Sequence, residues 1–316
     1  KEDMKRKKRY QLIAGATVLS MCVSLVNPVV YAEESKQDAK VSAGDIKLNP
    51  EVHYQTLKGW GTSLCWWGNI IGSWGDADYN NNGTPDREEI AELAFSPECL
   101  NLNIVRYNVG GGDKEDTSIK RCEGIVPGWT EDMTGKKDGT GTFDAETFYN
   151  KNTEEMSDAG QIWMMEQANE YRKDEKDIIN EVFSNSPPYY MTKLGTSTGG
   201  WNAENNLKEE CYDDFATYMA RATKWIDNNL EEKYGTGVTY VEPMNEPDTS
   251  YWAAGSTKQE GCTFAPGKAQ SEMFRQMQTA LDEEGLDNVQ ITGTDETALW
   301  NANNSFYKLE DDVKEN

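Results

Sequence analysis

The segment Val238–Trp252 reads VTYVEPMNEPDTSYW. A β-branched and aromatic run ends on Asn245-Glu246-Pro247, and a polar loop carrying Trp252 follows. A glutamate just beyond a buried strand can be partly desolvated, which raises its pKa. Such a carboxyl holds a proton near neutrality and can deliver it as a general acid. Pro247 fixes the turn that follows, and Asn245 is placed to hydrogen-bond a hydroxyl beside the reacting carbon. Glu246 is thus the candidate catalytic acid/base, although the tripeptide alone is a weak signal.

Aromatic residues surround it in the sequence. Trp60–Trp67 (WGTSLCWW) puts three tryptophans near an early strand end, and Tyr189, Tyr190 and Trp201 precede the Glu246 strand. Aromatic faces suit the apolar faces of sugar rings, while Asn, Gln and Arg suit their hydroxyls. Any one of these rings is as readily a core residue; it is their clustering in loops after strands that points to a sugar.

A second motif is independent. DYNNNGTPDREE places Asp78, Asn80, Asn82, Thr84, Asp86 and Glu89 at positions one, three, five, seven, nine and twelve of an EF-hand-type loop, with Gly83 at the sharp turn. Oxygen ligands at alternate positions wrap one hard cation, so a structural calcium ion is one expectation. Pro85 departs from the motif. The other reading is an Asn-rich surface loop whose Asp86 caps the helix at Arg87.

The elements that must position these residues alternate. Strands are predicted at 61–65, 103–109, 178–184, 238–244 and 289–294. Helices are predicted at 87–95, 159–171, 207–230 and 271–284, the last ended by Gly285. This alternation favours a parallel sheet with crossover helices. The chemistry-bearing residues Trp66 and Trp67, Arg106 and Asn108, Asn185, Asn245 and Glu246, and Asp295 and Glu296 all fall at C-terminal strand ends, where a (β/α)8 barrel builds its site. Five strands are found where a barrel needs eight. The fold expected is therefore an α/β (β/α)8 barrel that is incomplete and truncated at its C-terminus; a complete five-strand sheet is the alternative.

The stretches GWGTSLCWWGNIIGSWGD, LNIVRYNVGGGD, FSNSPPYYMTKLGTSTGG, EPMNEPDTSYWAAGSTKQEGC and ITGTDET together resemble glycoside hydrolase family 30, and most its endo-β-1,6-galactanase branch. The resemblance spans about Leu57 to Thr297. It implies a retaining clan A barrel with a small β side domain, formed in part by an N-terminal strand. It implies Glu246 as acid/base and no cofactor for catalysis. It further implies Trp66, Trp67, Arg106, Asn108, Asn185, Asn245, Trp252 and Glu260 as substrate-binding residues, with KQEGC around Glu260 typical of the galactanase branch. Retaining hydrolysis needs a second carboxylate about 5 Å away. In the family this nucleophile ends the seventh strand. Glu242 and Glu296 are poor substitutes: Glu242 lies inside the fourth strand, and Glu296 matches the family's fifth-strand Asp-Glu. The nucleophile is expected beyond Asn316, and the polypeptide as given is expected not to hydrolyse glycosides. The alternatives are another family 30 specificity, on xylan or β-1,6-glucan, or a non-catalytic carbohydrate-binding remnant.

Composition bounds the partners. The net charge is −24, which disfavours nucleic acid and anionic membranes and leaves a neutral polymer acceptable. A polysaccharide partner (galactan or arabinogalactan side chains) and a monomer are expected. Met4–Arg9 is basic, Leu12–Val26 is apolar, and Val30-Tyr31-Ala32 offers a cleavage site. Residues 1–32 are therefore expected to be a signal peptide removed after Ala32, giving a secreted protein with no membrane attachment. Residues 33–45 read as a linker and 46–316 as the partial catalytic domain. Cys65, Cys99, Cys122, Cys211 and Cys262 are an odd set without CxxC spacing, and the single His53 leaves little room for histidine chemistry.

Overall fold

The computed structural model describes residues 49–112, 126–129, 158–199, 204–250, 252 and 259–315. The chain divides into two units, Lys1–Lys58 and Gly59–Asn316. In the first, the described residues 49–58 are exposed and contain no strand, where the sequence predicts one. Their local order is a turn in which Val52 N–H donates to the Asn49 carbonyl at 3.1 Å. The signal-peptide and linker segments lie outside the described residues, as do Trp201 and Cys122.

The second unit alternates as predicted. β1 (Gly61–Ser63) precedes α1 (Trp67–Gly72) and α2 (Asp86–Phe95). β2 (Ile104–Asn108) leads to α3 (Ala159–Arg172), β3 (Ile179–Phe183) to α4 (Tyr212–Tyr234), and β4 (Tyr240–Glu242) to α5 (Lys268–Glu284). β5 (Gln290–Ile291) leads to α6 (Leu299–Lys308) and α7 (Asp311–Lys314). The strands form one sheet in the order β1-β2-β3-β4-β5, every pair parallel. Parallel neighbours joined by crossover helices are the repeating unit of the (β/α)8 barrel, and this is an incomplete one.

Register sorts the side chains. Arg106 pairs with Glu181, and Phe183 with Glu242. Side chains alternate along a strand, so Arg106, Asn108, Glu181, Phe183 and Glu242 share one face. The opposite face carries Val105, Tyr107, Val182 and Val241, all fully buried in the core with the helices. Asn180 is buried on this apolar face too, but it is satisfied. It exchanges amide hydrogen bonds with Asn169 of α3 at 2.9 and 3.0 Å and donates to the Gly237 carbonyl at 2.9 Å. Polar groups buried this way fix which helix turn meets which strand.

Two helices depart from their sequence pattern. The apolar periodicity predicts α4 from Leu207, yet the helix begins at Tyr212. Leu207 instead bridges Thr192 in an antiparallel pair, Lys208 N–H donates to the Met191 carbonyl at 3.0 Å, and Glu209–Cys211 is a 3-10 turn. Local backbone pairing has overridden helical periodicity. α6 turns its polar side inward: Asn301 and Ser305 are buried while Leu299, Trp300 and Tyr307 are exposed. Among the described residues the cysteines Cys65, Cys99, Cys211 and Cys262 are free thiols.

Asp158, just ahead of α3, is 3% exposed. Its Oδ2 accepts from Tyr107 OH at 2.7 Å and from Gln161 Nε2 at 2.6 Å. Burial outweighs these hydrogen bonds and pushes its pKa up to about 7. The native state thus retains a proton that the unfolded chain, with an ordinary aspartate at 3.8, loses. Stability is expected to fall as pH rises between those two values and then to level off, with a slope of at most about 1.4 kcal/mol per pH unit. Asp158→Asn should flatten that slope in urea titrations at several pH values.

Candidate active site

The floor of the site is a charge cluster on the polar face of the sheet. Arg106 of β2 donates from Nε to Glu181 Oε1 at 2.8 Å. Its Nη2 donates to Glu242 Oε2 at 2.6 Å and to Asp295 Oδ2 at 2.9 Å. The guanidinium lies 4.1 Å from the Phe183 ring centroid, which holds its plane. One cation faces three carboxylates, and Glu242 is 2% exposed. Burial, followed by the charge of Asp295, pushes the Glu242 carboxyl well above its usual range, against the opposing pull of Arg106. Arg106 thus meets Glu242 from within the sheet and Glu181 and Asp295 beside it.

Glu246 sits immediately above this floor. It lies beyond the end of β4 with φ +50°, a left-handed backbone that a glutamate rarely adopts. Its N–H donates to the Asp295 carbonyl at 2.7 Å, and its carbonyl accepts Trp252 Nε1 at 2.9 Å. Asp295 therefore ties Arg106 through its side chain and Glu246 through its backbone. A strained backbone fixed from two sides is the arrangement expected where a side chain must be aimed. Glu246 and Asn245 are both half-buried.

A row of asparagines runs beside it. Asn245 Nδ2 donates to Asn185 Oδ1 at 2.9 Å, and Asn185 N–H donates to Asn108 Oδ1 at 3.0 Å. The C-terminal ends of β2, β3 and β4 thus meet in one hydrogen-bonded series. The predicted residues Arg106, Asn108, Asn185, Asn245 and Glu246 are brought together.

The aromatic residues divide differently. Trp66 is half-buried just past β1. Trp67 is turned inward: its Nε1 donates to the Ser63 carbonyl at 2.8 Å and its ring lies 6.5 Å from Phe95. Trp252 is 2% exposed and packs on Gly261, where an added Cβ would lie 2.3 Å from the indole. Its place is under the Glu246 loop rather than on a sugar face. Tyr189 and Tyr190 are fully buried, as is Glu260. For these residues the core reading holds, because a strand-end loop can fold a ring inward as easily as outward.

Both alternative carboxylates are engaged with protein groups. Glu242 is committed to Arg106. Glu296 accepts Ser305 Oγ at 2.7 Å and Asp248 N–H at 3.0 Å, and burial raises its pKa. It braces the loop after Glu246 against α6, as does Asn301 Nδ2, which donates to the Asp248 carbonyl at 3.1 Å. Sequence reasoning missed Glu181 and Asp295 as partners of Arg106. For Glu181 the signal was present: an acidic residue inside the strand INEVF, opposite the arginine of the neighbouring strand IVRYN.

The Asn-rich loop has part of the expected geometry. Gly83 N–H and Asn82 N–H donate to Asp78 at 2.8 and 3.1 Å. Asn80 Nδ2 reaches Asp86 at 2.7 Å and Glu89 at 2.8 Å, and Asn82 Nδ2 reaches Glu89 at 2.6 Å. Among the described residues no three His, Cys, Asp or Glu side chains gather closely enough to hold a metal. Turning the Asn80 and Asn82 amides over would present oxygens in place of the donors.

The sequence model of O-glycosyl hydrolase family 30 matches residues 43–314. An exo-β-1,6-galactobiohydrolase of Bifidobacterium longum is 32% identical over 275 residues, which is 76% of this chain and 17% of that protein. An endo-β-1,6-galactanase of Hypocrea rufa is 27% identical over 301 residues, 89% of this chain and 56% of that protein. Among solved structures, a conserved exported protein of Bacteroides fragilis superposes with a TM-score of 0.60 at 21% identity, covering 79% of this chain and 46% of that one. The chain thus spans about half or less of the length of the proteins it matches. It belongs to O-glycosyl hydrolase family 30.

The Arg106 cluster sets a contrast between two substitutions. Arg106→Met takes the shared donor from the buried Glu242 and from the more exposed Glu181 and Asp295 and should lower unfolding free energy by about 2 kcal/mol or more. Glu242→Gln keeps an oxygen to accept from Arg106 Nη2 and should cost less, about 1 kcal/mol. Denaturant titrations of both variants check this.

Proposed function

We propose that this family 30 chain carries the acid/base half of a secreted, retaining endo-hydrolase of β-1,6-linked galactan. The observation that carries the reading is the strained, doubly anchored Glu246 at the end of β4, flanked by Asn245 and braced through Asp295. The two curated relatives both act on β-1,6-galactan by name, one from chain ends and one internally. The shared linkage supports the substrate.

In the proposed mechanism the protonated Glu246 gives its proton to the glycosidic oxygen as the bond to the anomeric carbon breaks. A second carboxylate attacks that carbon and forms a glycosyl-enzyme. Glu246, now ionised, removes a proton from water, which displaces the carboxylate and leaves the sugar with its original configuration. Glu242 and Glu296 are both engaged elsewhere, and the attacking carboxylate is the one that the family resemblance places at the end of a seventh strand. Asn245 and Asn185 are the residues nearest to Glu246 for holding sugar hydroxyls, with Trp66 as the half-buried ring beside the strand ends. The leader before Glu33 directs export, and the protein acts as a monomer on soluble or wall-bound polysaccharide. Among the described residues no helix is long and apolar enough to cross a membrane.

A second reading has one observation behind it. With both described alternative carboxylates tied up, the chain by itself would bind galactan without cleaving it.

In the barrel-length polypeptide, Glu246→Gln should lower kcat/KM on β-1,6-galactan by roughly 10²–10⁴-fold; unchanged hydrolysis would remove Glu246 from the role. Calcium at Asp78, Asn80, Asn82, Thr84, Asp86 and Glu89 belongs to the same proposal, as a structural ion. Added calcium should raise the melting temperature over that in chelator, and Asp78→Ala should abolish the difference.

A further inference from the structure

Glu260 lies in the loop between β4 and α5 and is fully buried. A carboxylate removed from water must be met by donors. Gly111 N–H and Val126 N–H each donate to its Oε1 at 3.1 Å, and Asn108 Nδ2 donates to its Oε2 at 3.1 Å. All three are donors, so an acceptor-only group satisfies them and an amide does not. The consequence passes through Asn108 to the Asn185 N–H. With Nδ2 committed to Glu260, the Asn108 amide must present Oδ1 to Asn185, which donates its N–H at 3.0 Å. The Asn185 side chain is held separately: its Nδ2 lies 3.5 Å from Cys65 Sγ, and its Oδ1 accepts from Asn245, the residue before Glu246, at 2.9 Å.

We infer that Glu260 is a positioning residue, whose carboxylate fixes the Asn108 amide so that it accepts from the Asn185 N–H at the strand ends beside Glu246. Its complete burial separates it from the sugar, so the substrate contact expected from sequence is replaced by an indirect role. The inference deepens the proposed role of Glu246 and rests on it for its catalytic meaning. The hydrogen-bond logic itself needs only the fold.

That logic makes a specific reversal possible. In Glu260→Gln, the amide can offer its oxygen to Gly111 and Val126, but its Nε2 then meets Asn108 Nδ2, donor against donor. If Asn108 turns over to accept, its Nδ2 confronts the Asn185 N–H. Either way a hydrogen bond in the series is lost. Adding Asn108→Asp restores every pair, because the carboxylate it introduces accepts from both the introduced amide and the Asn185 N–H. Asn108→Asp alone sets two carboxylates against each other and should be the least stable of the three.

Amide hydrogen exchange on the 316-residue chain reads this directly. Glu260→Gln should speed exchange at the Asn185 N–H by about tenfold or more, and the double variant should return it to within about twofold of the parent. Melting temperatures measured alongside separate local from global opening. If Glu260→Gln alone fails to fold, a folded double variant with parental protection supports the inference. Unchanged protection in the single variant, or a double variant no better protected than it, overturns the inference. Because the readout is backbone exchange, loss of the galactanase reading would leave this result standing, and the reverse holds too.

Discussion

A single guanidinium, that of Arg106, holds together carboxylates from two neighbouring strands and a loop. A parallel sheet makes this necessary. Its strands all end at one edge, and its polar face collects whatever side chains alternate inward. Three carboxylates gathered there would repel one another without a central cation, and even with it burial and the charge of Asp295 push the Glu242 carboxyl well above its usual range. The arrangement reaches the proposed chemistry through Asp295. The same residue that accepts from Arg106 offers its carbonyl to the Glu246 N–H. The left-handed backbone at Glu246 is strained for a residue with a Cβ, and it persists because the cluster below and Trp252 beside it leave no alternative. Charge pairing on the floor is thus converted into aim at the rim.

Much of the fold was legible because its signals are local. All five strands occur within the β-branched runs that predicted them, and α5 ends at Gly285, whose φ of +67° suits glycine. The Asn-Glu-Pro strand end, Arg106, Asn108 and Asn185 were legible as site residues because strand ends in a parallel sheet converge by topology. What escaped the sequence depends on partners far along the chain. The start of α4 was misplaced because Leu207 finds a bridge to Thr192 instead of a helical turn. The directions of Trp67, Trp252 and Glu260 were not legible. Each is decided by a donor or acceptor elsewhere: the Ser63 carbonyl for Trp67, the Glu246 carbonyl for Trp252, and Asn108 with Gly111 and Val126 for Glu260.

α6 illustrates how a few polar contacts outweigh amphipathy. Its pattern puts Leu299, Trp300, Phe306 and Tyr307 on the exposed side while Asn301 and Ser305 face inward. Those two reach the Asp248 carbonyl and Glu296, so the helix is oriented by the loop that carries Glu246. The site therefore has support from below through Arg106, from the side through the asparagine series, and from the rim through α6. A loop supported on three sides by buried hydrogen bonds can keep a catalytic group within the narrow range of positions that proton transfer demands.

The central claim is that Glu246 serves as the acid/base of a retaining hydrolase. Chemical rescue tests it most directly. In Glu246→Ala, an activated aryl β-1,6-galactobioside still glycosylates the nucleophile but the intermediate waits for a base. Added azide, which needs no base, is predicted to restore turnover of the barrel-length polypeptide and to yield the β-configured galactosyl azide. Turnover that stays at the parental rate in Glu246→Ala, or a rescue product of inverted configuration, would contradict that role.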